Sequence, residues 1–218
     1  MQEFIKFFND GGFFMYPILI LAIIGSIIIV ERIYMIIFVY YASGAVLMQK
    51  IQRLILDNNL DEAVKVCNSK KHAAIYQIFK AALVTADRPY EEIQDHVQVA
   101  NLALIPKLQD RMPYLSTIAN VATLLGLLGT IAGLIQTFQS IGAVEESQKQ
   151  LMLAAGISTA MNTTAFGLIV AVPCSLVYGF LYNKINTVID EVEHYSGRLL
   201  LLLRTGGQYF DYAKKKEE

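Results

Sequence analysis

The stretch "LLGLLGTIAGLIQTF", Leu124 to Phe138, decides the fold, because it is apolar enough for a membrane helix and yet carries three glycines and two threonines. Glycine is a poor helix former, and a threonine in lipid needs a hydrogen-bond partner. In membranes, small residues let two helices approach closely, and threonine side chains hydrogen-bond across the contact. The stretch therefore predicts a helix that either packs tightly against another helix or lines a polar path.

The composition indicates a membrane protein. The chain has 218 residues, of which 55% are hydrophobic and 17% charged, and its mean hydropathy is +0.43. A soluble domain carries about 25% charged residues. No charged side chain occurs between Met112 and Val144 or between Leu151 and Asn183, and a third apolar run covers 13–30. Each run is long enough to cross a bilayer. We predict an all-α integral membrane protein with three transmembrane helices.

The distribution of Lys and Arg predicts the orientation. Residues 43–112 contain nine Lys/Arg and the tail after Asn183 six, whereas the N-terminus carries only Lys6 and the segment 139–154 only Lys149. An excess of these residues marks the cytoplasmic side. The predicted order is an interfacial helix (1–12), a first transmembrane helix with its extension (13–42), a cytoplasmic helical region (43–112), a second transmembrane helix (113–139), an outer loop (140–154), a third transmembrane helix (155–182) and a cytoplasmic helical tail (183–218).

Motifs for catalysis do not occur in the sequence. It has no glycine-rich phosphate loop, no metal-ligand spacing and no nucleophile beside a base, so we predict no enzyme activity, no cofactor and no nucleic-acid partner. Glu31 and Arg32 are the one charged pair in apolar surroundings. They are either an anchor, with Arg32 reaching the lipid head groups, or a contact at a subunit boundary.

Small and hydroxyl residues form a stripe on each of the last two predicted spans. Gly126, Thr130 and Gly133 recur every three or four residues on the second span. The stripe of the third span contains Ala160, Thr164, Gly167, Ala171 and Ser175, beside Thr159, Asn162 and Thr163. With a rise of about 1.5 Å per residue, Thr130 and Thr164 each lie about 10–12 Å below the outer surface. Such a hydroxyl ring holds no titratable group, so a carboxylate that drives transport would come from another chain.

The segments "PYLSTIANVATLLGLLGTIAGLIQTF" (113–138) and "GISTAMNTTAFGLIVAVPCSLVYGFLYNKIN" (156–186) resemble the MotA/TolQ/ExbB family, in its ExbB/TolQ branch. The resemblance implies the larger subunit of an ion-driven motor in the bacterial inner membrane, with a periplasmic N-terminus and a cytoplasmic C-terminus. It implies a homopentamer around two copies of a single-span ExbD/TolR-like subunit, each with a membrane aspartate. A TonB/TolA-like envelope effector would receive the work done by the proton-motive force.

The resemblance also implies residue roles. The ion pathway would contain Thr130, Thr164, Thr159, Asn162 and Thr163. The residues that pack against the partner helix would be Gly126, Gly133, Gly167, Ala171 and Pro173. Glu31 and Arg32 would form contacts needed for assembly. One departure is Thr159, where the family typically has glutamate. It leaves a Na⁺-driven version of the motor open beside the H⁺-driven one, and a non-conducting membrane scaffold is the rival from another class.

Overall fold

The computed structural model describes residues 11–142 and 146–217, with side chains as far as Thr205. Most of the predicted interfacial helix (1–12) lies outside the described residues. All regular elements in the described part are helices: α1 (Met15–Tyr34), a π-helix (Met35–Tyr40), α2 (Gly44–Leu56), α3 (Leu60–Asn68), α4 (Ala74–Val84), α5 (Tyr90–Gln109), α6 (Met112–Ile141) and α7 (Glu146–Glu217).

Three helical stretches are long and apolar enough to cross a membrane: Met15–Leu56, Tyr90–Ile141 and Glu146–Thr205. They contain the three runs that the sequence predicts as spans. The prediction of an all-α membrane protein with three transmembrane helices is therefore confirmed. The predicted continuation of the third span into a helical tail is also observed, since α7 runs unbroken to Glu217.

The connection between α6 and α7 differs from the prediction. A loop was predicted over 140–154, but α6 extends to Ile141 and α7 begins at Glu146. The acidic Glu146 suits the first turn of a helix, where it faces unpaired backbone N–H groups. Lys149 lies one turn later, with its Nζ 3.8 Å from a carboxylate oxygen of Glu146. Residues 146–154, which were predicted as part of the loop, therefore form the first turns of α7.

Residues 11–32 and 111–180 form one compact unit, here called the membrane unit. Its core joins all three apolar helices through Met15, Ile18, Leu115, Ala122 and Phe166, which are buried with several neighbours. Small residues set the spacing. A Cβ on Gly25 would lie 3.1 Å from the Sγ of Cys174 and 3.4 Å from the side chain of Ile118. The three helices are therefore already in close contact at this level.

Residues 33–110 and 181–217 form the second unit. Asn59 caps α3, because its side chain accepts a hydrogen bond from the N–H of Glu62 at 3.2 Å and donates one to the Glu62 carboxylate at 2.8 Å. An asparagine directly before a helix is a favourable N-cap. Cys67 of α3 and the α4 side chains Ile78 and Phe79 are each buried in this unit. The segment "YEEIQDHVQVANLALIPKLQDRM" contains α5.

A break between the π-helix and α2 is held against α7. The N–H of Gly44, the first residue of α2, donates to the carboxylate of Glu191 at 2.8 Å. The ring of Tyr195 occupies the space that a side chain at position 44 would need. The Nζ of Lys184 lies 4.1 Å from the ring centre of Tyr41. Three residues of α7 thus contact the break between the π-helix and α2.

Cys67 provides a test of packing in the second unit. Burial raises the pKa of its thiol from 9.0 to about 12, against a smaller opposing effect of the Lys80 charge. Three pKa units leave about a thousandfold less thiolate, which is the reactive form. In a Cys174→Ala background at pH 8, we expect a maleimide to label Cys67 at least about 100-fold more slowly than in protein unfolded in SDS.

The same thiol gives a pH dependence with a defined sign. The unfolded chain ionises first, so the stabilising effect is constant below pH 9 and is lost as the pH rises from 9 towards 12. Labelling rates within about tenfold of the unfolded protein would contradict the burial of Cys67.

Candidate functional site

The helices α6 and α7 touch backbone to backbone at two glycines. A Cβ on Gly167 would lie 2.7 Å from the carbonyl oxygen of Ala122 and 3.1 Å from the Cα of Gly126. A Cβ on Gly126 would lie 3.3 Å from the Cα of Thr164. The atoms that such a side chain would meet belong to the backbone and cannot rotate away. Glycine is therefore required at position 167, and at position 126 an added Cβ would need the two helices to move apart by a few tenths of an ångström.

Two threonines meet at this contact. The hydroxyls of Thr130 and Thr164 are hydrogen-bonded to each other. The same hydroxyls approach the carbonyl oxygen of Gly126 at 3.1 Å and 3.0 Å, respectively, and Thr130 also lies 3.3 Å from the carbonyl oxygen of Ala160. We call these two hydroxyls and the Gly126 carbonyl the threonine cluster. The two residues are half-buried, so part of the cluster remains open to the surface of the chain.

The chemistry of the threonine cluster is that of a neutral oxygen site. Its hydroxyl protons point to oxygens inside the cluster, so the oxygen lone pairs are what it offers to water or a cation. Neither hydroxyl titrates in the physiological range. The cluster can orient water or share in the solvation of an ion, but it cannot carry a proton by ionising.

Thr163 does not belong to this site. Its side chain is 1% exposed and donates a hydrogen bond to the carbonyl oxygen of Gly11 at 2.6 Å. A Cβ on Gly129 of α6 would collide with it. Successive residues of a helix are turned by about 100°, so Thr163 faces the packed interior while Thr164 faces the threonine cluster. The prediction that Thr163 lies in an ion pathway is corrected accordingly.

Thr159 lies on a groove of about 310 Å³ between the end of α6 and the start of α7. The groove is also lined by Gln136, Thr137 and Ser140, and Thr137 donates to the carbonyl oxygen of Gly133 at 2.7 Å. Asn162 is half-buried nearby in the chain. Gln136 and Ser140 were not predicted from the sequence, although a glutamine inside an apolar run is a signal of a polar surface.

The predicted packing residues contact the chain's own helices. A Cβ on Gly133 would lie 3.3 Å from the Cβ of Ala160, and Ala171 is buried in the core of the membrane unit. Pro173 is exposed and remains available to a partner. Gly126, Gly167 and Ala171 are buried within the chain, whereas Gly133 is half-buried and lines the groove beside Thr159. Packing of these residues against a partner helix stays a prediction.

The charged pair of the first span is bound within the chain. The carboxylate of Glu31 forms an ion pair with Arg111, and a guanidinium nitrogen of Arg32 lies 3.3 Å from the same carboxylate. The Arg32 side chain is 3% exposed, so it does not reach out to lipid head groups, and the predicted snorkelling anchor is wrong. Arg111 has a left-handed backbone (φ 58°) directly before α6. Sequence reasoning missed this ion pair.

The fold and the threonine cluster together define a helical integral membrane protein whose second and third spans meet at a neutral polar contact. The sequence model of the MotA/TolQ/ExbB proton channel family matches residues 67–194, more than half of the chain. The chain belongs to this family.

Three relatives illustrate the similarity. The chain is 30% identical over 123 residues to the Tol-Pal system protein TolQ of Haemophilus influenzae, covering 55% of this chain and 54% of that protein. It is 28% identical over 209 residues to a putative biopolymer transport protein, ExbB-like 1, of Synechocystis, covering 94% of this chain and 79% of the relative. It is 39% identical over 80 residues to the biopolymer transport protein exbB1 of Vibrio cholerae, covering 37% and 35%. The alignment thus spans about half the length of the TolQ relative.

Two glycines of α7 test the backbone contact. Gly167→Ala places a methyl group against the backbone of α6, and overpacking of this kind costs about 1–3 kcal/mol. Gly179 has no atom within 4 Å of the position a Cβ would take, so Gly179→Ala gains helix propensity at no steric cost. In thermal unfolding in mild detergent, we expect Gly167→Ala to lower the midpoint and Gly179→Ala to leave it unchanged or raise it. Equal midpoints for both variants would refute the contact.

The ion pair of Glu31 with Arg111 is tested by a double-mutant cycle. Glu31→Gln should lower the thermal midpoint more than Arg111→Gln, because it also removes the carboxylate beside the buried Arg32. The loss in the double variant should be smaller than the sum of the two single losses, since each single variant already removes the same interaction. Losses that simply add would show that the two residues do not interact. Glu31→Gln should also leave the oligomeric state in native mass spectrometry unchanged, because the pairing lies within one chain.

Proposed function

We propose that this chain is the larger subunit of an ion-driven motor in the bacterial inner membrane. With a single-span ExbD/TolR-like partner, it would convert proton-motive force into mechanical work on a TonB/TolA-like envelope effector. One observation carries the proposal: a chain of a proton channel family holds two hydroxyls in contact, on adjacent spans, in a site that is partly open. The names of its relatives, from the Tol-Pal system and biopolymer transport, support a role in the cell envelope.

The proposed assembly is a homopentamer with its N-terminus in the periplasm and its C-terminus in the cytoplasm. Around a central axis, five threonine clusters form a ring at one depth. A dimer of the partner subunit lies inside the ring, and each copy brings a membrane aspartate. The excess of Lys and Arg in 43–112 and in the tail supports the orientation.

The division of labour follows from the chemistry of the cluster. The segments 112–144 and 151–183 contain no Asp or Glu, so the group that gains and loses the proton has to come from the partner. The hydroxyl oxygens of Thr130 and Thr164 accept hydrogen bonds from water beside that carboxylate. These hydroxyls keep the chain of water molecules continuous while the partner's carboxylate gains and then loses its proton.

The transported ion in this proposal is H⁺, in agreement with the description of the family. Na⁺ is the alternative, because Thr159 replaces the glutamate typical of the family and the groove beside it offers neutral oxygens. Such oxygens can share in the coordination of a hard cation.

A non-conducting scaffold is the second candidate function. The observation that favours it is that the hydroxyls of Thr130 and Thr164 are satisfied within the chain. Helix packing alone would account for that arrangement. The two functions differ in what happens when the hydroxyls are replaced by methyl groups.

The test is ion flux into proteoliposomes that contain this protein and its single-span partner, under an imposed gradient of H⁺ or Na⁺. Valine has nearly the shape of threonine, so Thr→Val removes polarity rather than bulk. An apolar constriction closes a pore by dewetting. We expect Thr130→Val and Thr164→Val each to lower the flux at least about tenfold, and Thr130→Ser to keep much of it.

Thr187→Val is the matched control in α7. Thr187 is exposed, and its hydroxyl donates to the carbonyl oxygen of Asn183 at 3.0 Å. It lies beyond the predicted third span (155–182), so its loss should not affect the flux. Flux no higher than that of protein-free liposomes, in wild type and in both valine variants, would favour the non-conducting scaffold. Equal flux above that background would remove Thr130 and Thr164 from the ion path. Flux that follows the Na⁺ gradient and not the H⁺ gradient would show that the motor transports Na⁺ instead of H⁺.

A further inference from the structure

Several polar side chains are exposed in the charge-free spans of α6 and α7. Asn120 and Ser175 both lie on the surface of the membrane unit. Within the residues that the structure describes, neither side chain has a hydrogen bond to the protein. A carboxamide in hydrocarbon without a partner is strongly unfavourable. Both side chains therefore require water or a polar group from outside the chain.

Asn120 and Ser175 lie close to the faces of α6 and α7 that carry the threonine cluster. Ser175 follows Thr164 by eleven residues, which is about three helical turns, so the two lie on nearly the same face about 16 Å apart. Thr123 precedes Thr130 by seven residues, about two turns, and is also exposed. Asn120 lies about one turn further in the same direction. A line of polar residues thus leads from the cluster towards the Met112 end of α6.

The hydroxyl of Thr123 has its proton directed into its own helix. It donates to the carbonyl oxygen of Ala119 at 3.0 Å. Its oxygen therefore presents lone pairs to the outside, as the threonine cluster does. Asn120 can donate and accept hydrogen bonds, and Ser175 can do both. Such groups support a chain of water molecules without binding a proton themselves.

The exposed face of α1 differs from this line. It carries large apolar side chains, among them Ile20, Ile23, Ile24 and Ile27. The exposed polar residue Ser26 donates to the carbonyl oxygen of Ala22 at 2.7 Å, so its hydroxyl proton is satisfied. This is the pattern of a surface that faces lipid. The surface with Asn120, Thr123 and Ser175 also carries exposed apolar side chains, among them Leu124 and Leu176, but Asn120 and Ser175 differ from Ser26 in having no hydrogen bond to a described residue.

We infer that Asn120, Thr123 and Ser175 line the inner half of the ion path, as an aqueous route from the threonine cluster to the Met112 end of α6. In the proposed orientation this end is cytoplasmic, and the inference rests on the proposed function. The outer hydroxyl ring alone would leave the partner's carboxylate without an exit for its proton. The three side chains provide that exit with neutral groups, so the proton moves along water rather than from one titrating residue to another.

Cysteine accessibility tests the route. In a Cys67→Ala, Cys174→Ala background, the variants Asn120→Cys, Ser175→Cys and Ile24→Cys are expressed with the partner in inside-out membrane vesicles. Ile24 is the control for depth, because its neighbour Gly25 packs beside Ile118 and Cys174. The probe is a membrane-impermeant, positively charged methanethiosulfonate, which reacts with thiolates in water.

We expect the reagent to modify the variants at 120 and 175 at least about tenfold faster than the variant at 24, since only the thiol in water ionises readily. Equally slow reaction at all three positions, with normal ion flux in the wild type, would overturn the inference and leave the proposed function intact. A copper-catalysed disulfide between two copies of the Asn120→Cys chain, without aqueous labelling, would instead assign this surface to a subunit interface. Absence of ion flux in the wild type would count against the proposed function itself.

A second pair of variants separates polarity from shape at the same position. Asn120→Leu removes every hydrogen-bonding group, whereas Asn120→Ser keeps one in a smaller side chain. We expect ion flux to fall at least about tenfold in Asn120→Leu and to stay within about threefold of wild type in Asn120→Ser, with unchanged thermal midpoints. Unchanged flux in Asn120→Leu would remove Asn120 from the path.

Discussion

The structure of the membrane unit depends on the backbone contact between α6 and α7 at Gly126 and Gly167. Lipid provides no hydrophobic force that would join two apolar helices, so close packing and interhelical hydrogen bonds have to do so. The contact supplies both. Because no Cβ separates the helices, the carbonyl oxygen of Gly126 comes within hydrogen-bonding distance of Thr164 on the other helix. The hydrogen bonds of the two threonines therefore depend on the close approach that the two glycines allow.

Polar residues in the membrane unit differ in where their hydrogen bonds go and in how far they are exposed. Thr163 and Thr137 donate to backbone carbonyls and are buried, which stabilises the unit and exposes nothing. Asn120 and Ser175 are exposed, and no described residue satisfies them. The threonine cluster lies between these extremes, since its hydroxyls are bonded and yet partly accessible. Polar groups that a membrane helix leaves unsatisfied are costly, so these positions are where function is to be sought.

Much of the fold could be predicted, because span length and the absence of charge are properties of single segments. Asn59 likewise indicates the start of α3, because asparagine is a favourable N-cap residue. The candidate site was harder to predict from the sequence. Periodicity places Gly126 and Gly167 on a stripe but does not say whether the stripe faces the same chain or another. It groups Thr163 with Thr164, although one helical step turns them to different surroundings. The ion pair of Glu31 with Arg111 joins residues 80 positions apart, which no local pattern records.

The neutrality of the threonine cluster limits what this chain can do alone. Energy from an ion gradient is captured only when a group changes charge in step with a change of position or contact. The hydroxyls of Thr130 and Thr164 do not change charge, and the backbone contact that holds them allows little movement. In the proposed motor, this chain is therefore the fixed part, which supplies a rigid polar surface. The part that moves has to carry the carboxylate, because only a group that alternates between charged and neutral can bind this surface in two different ways.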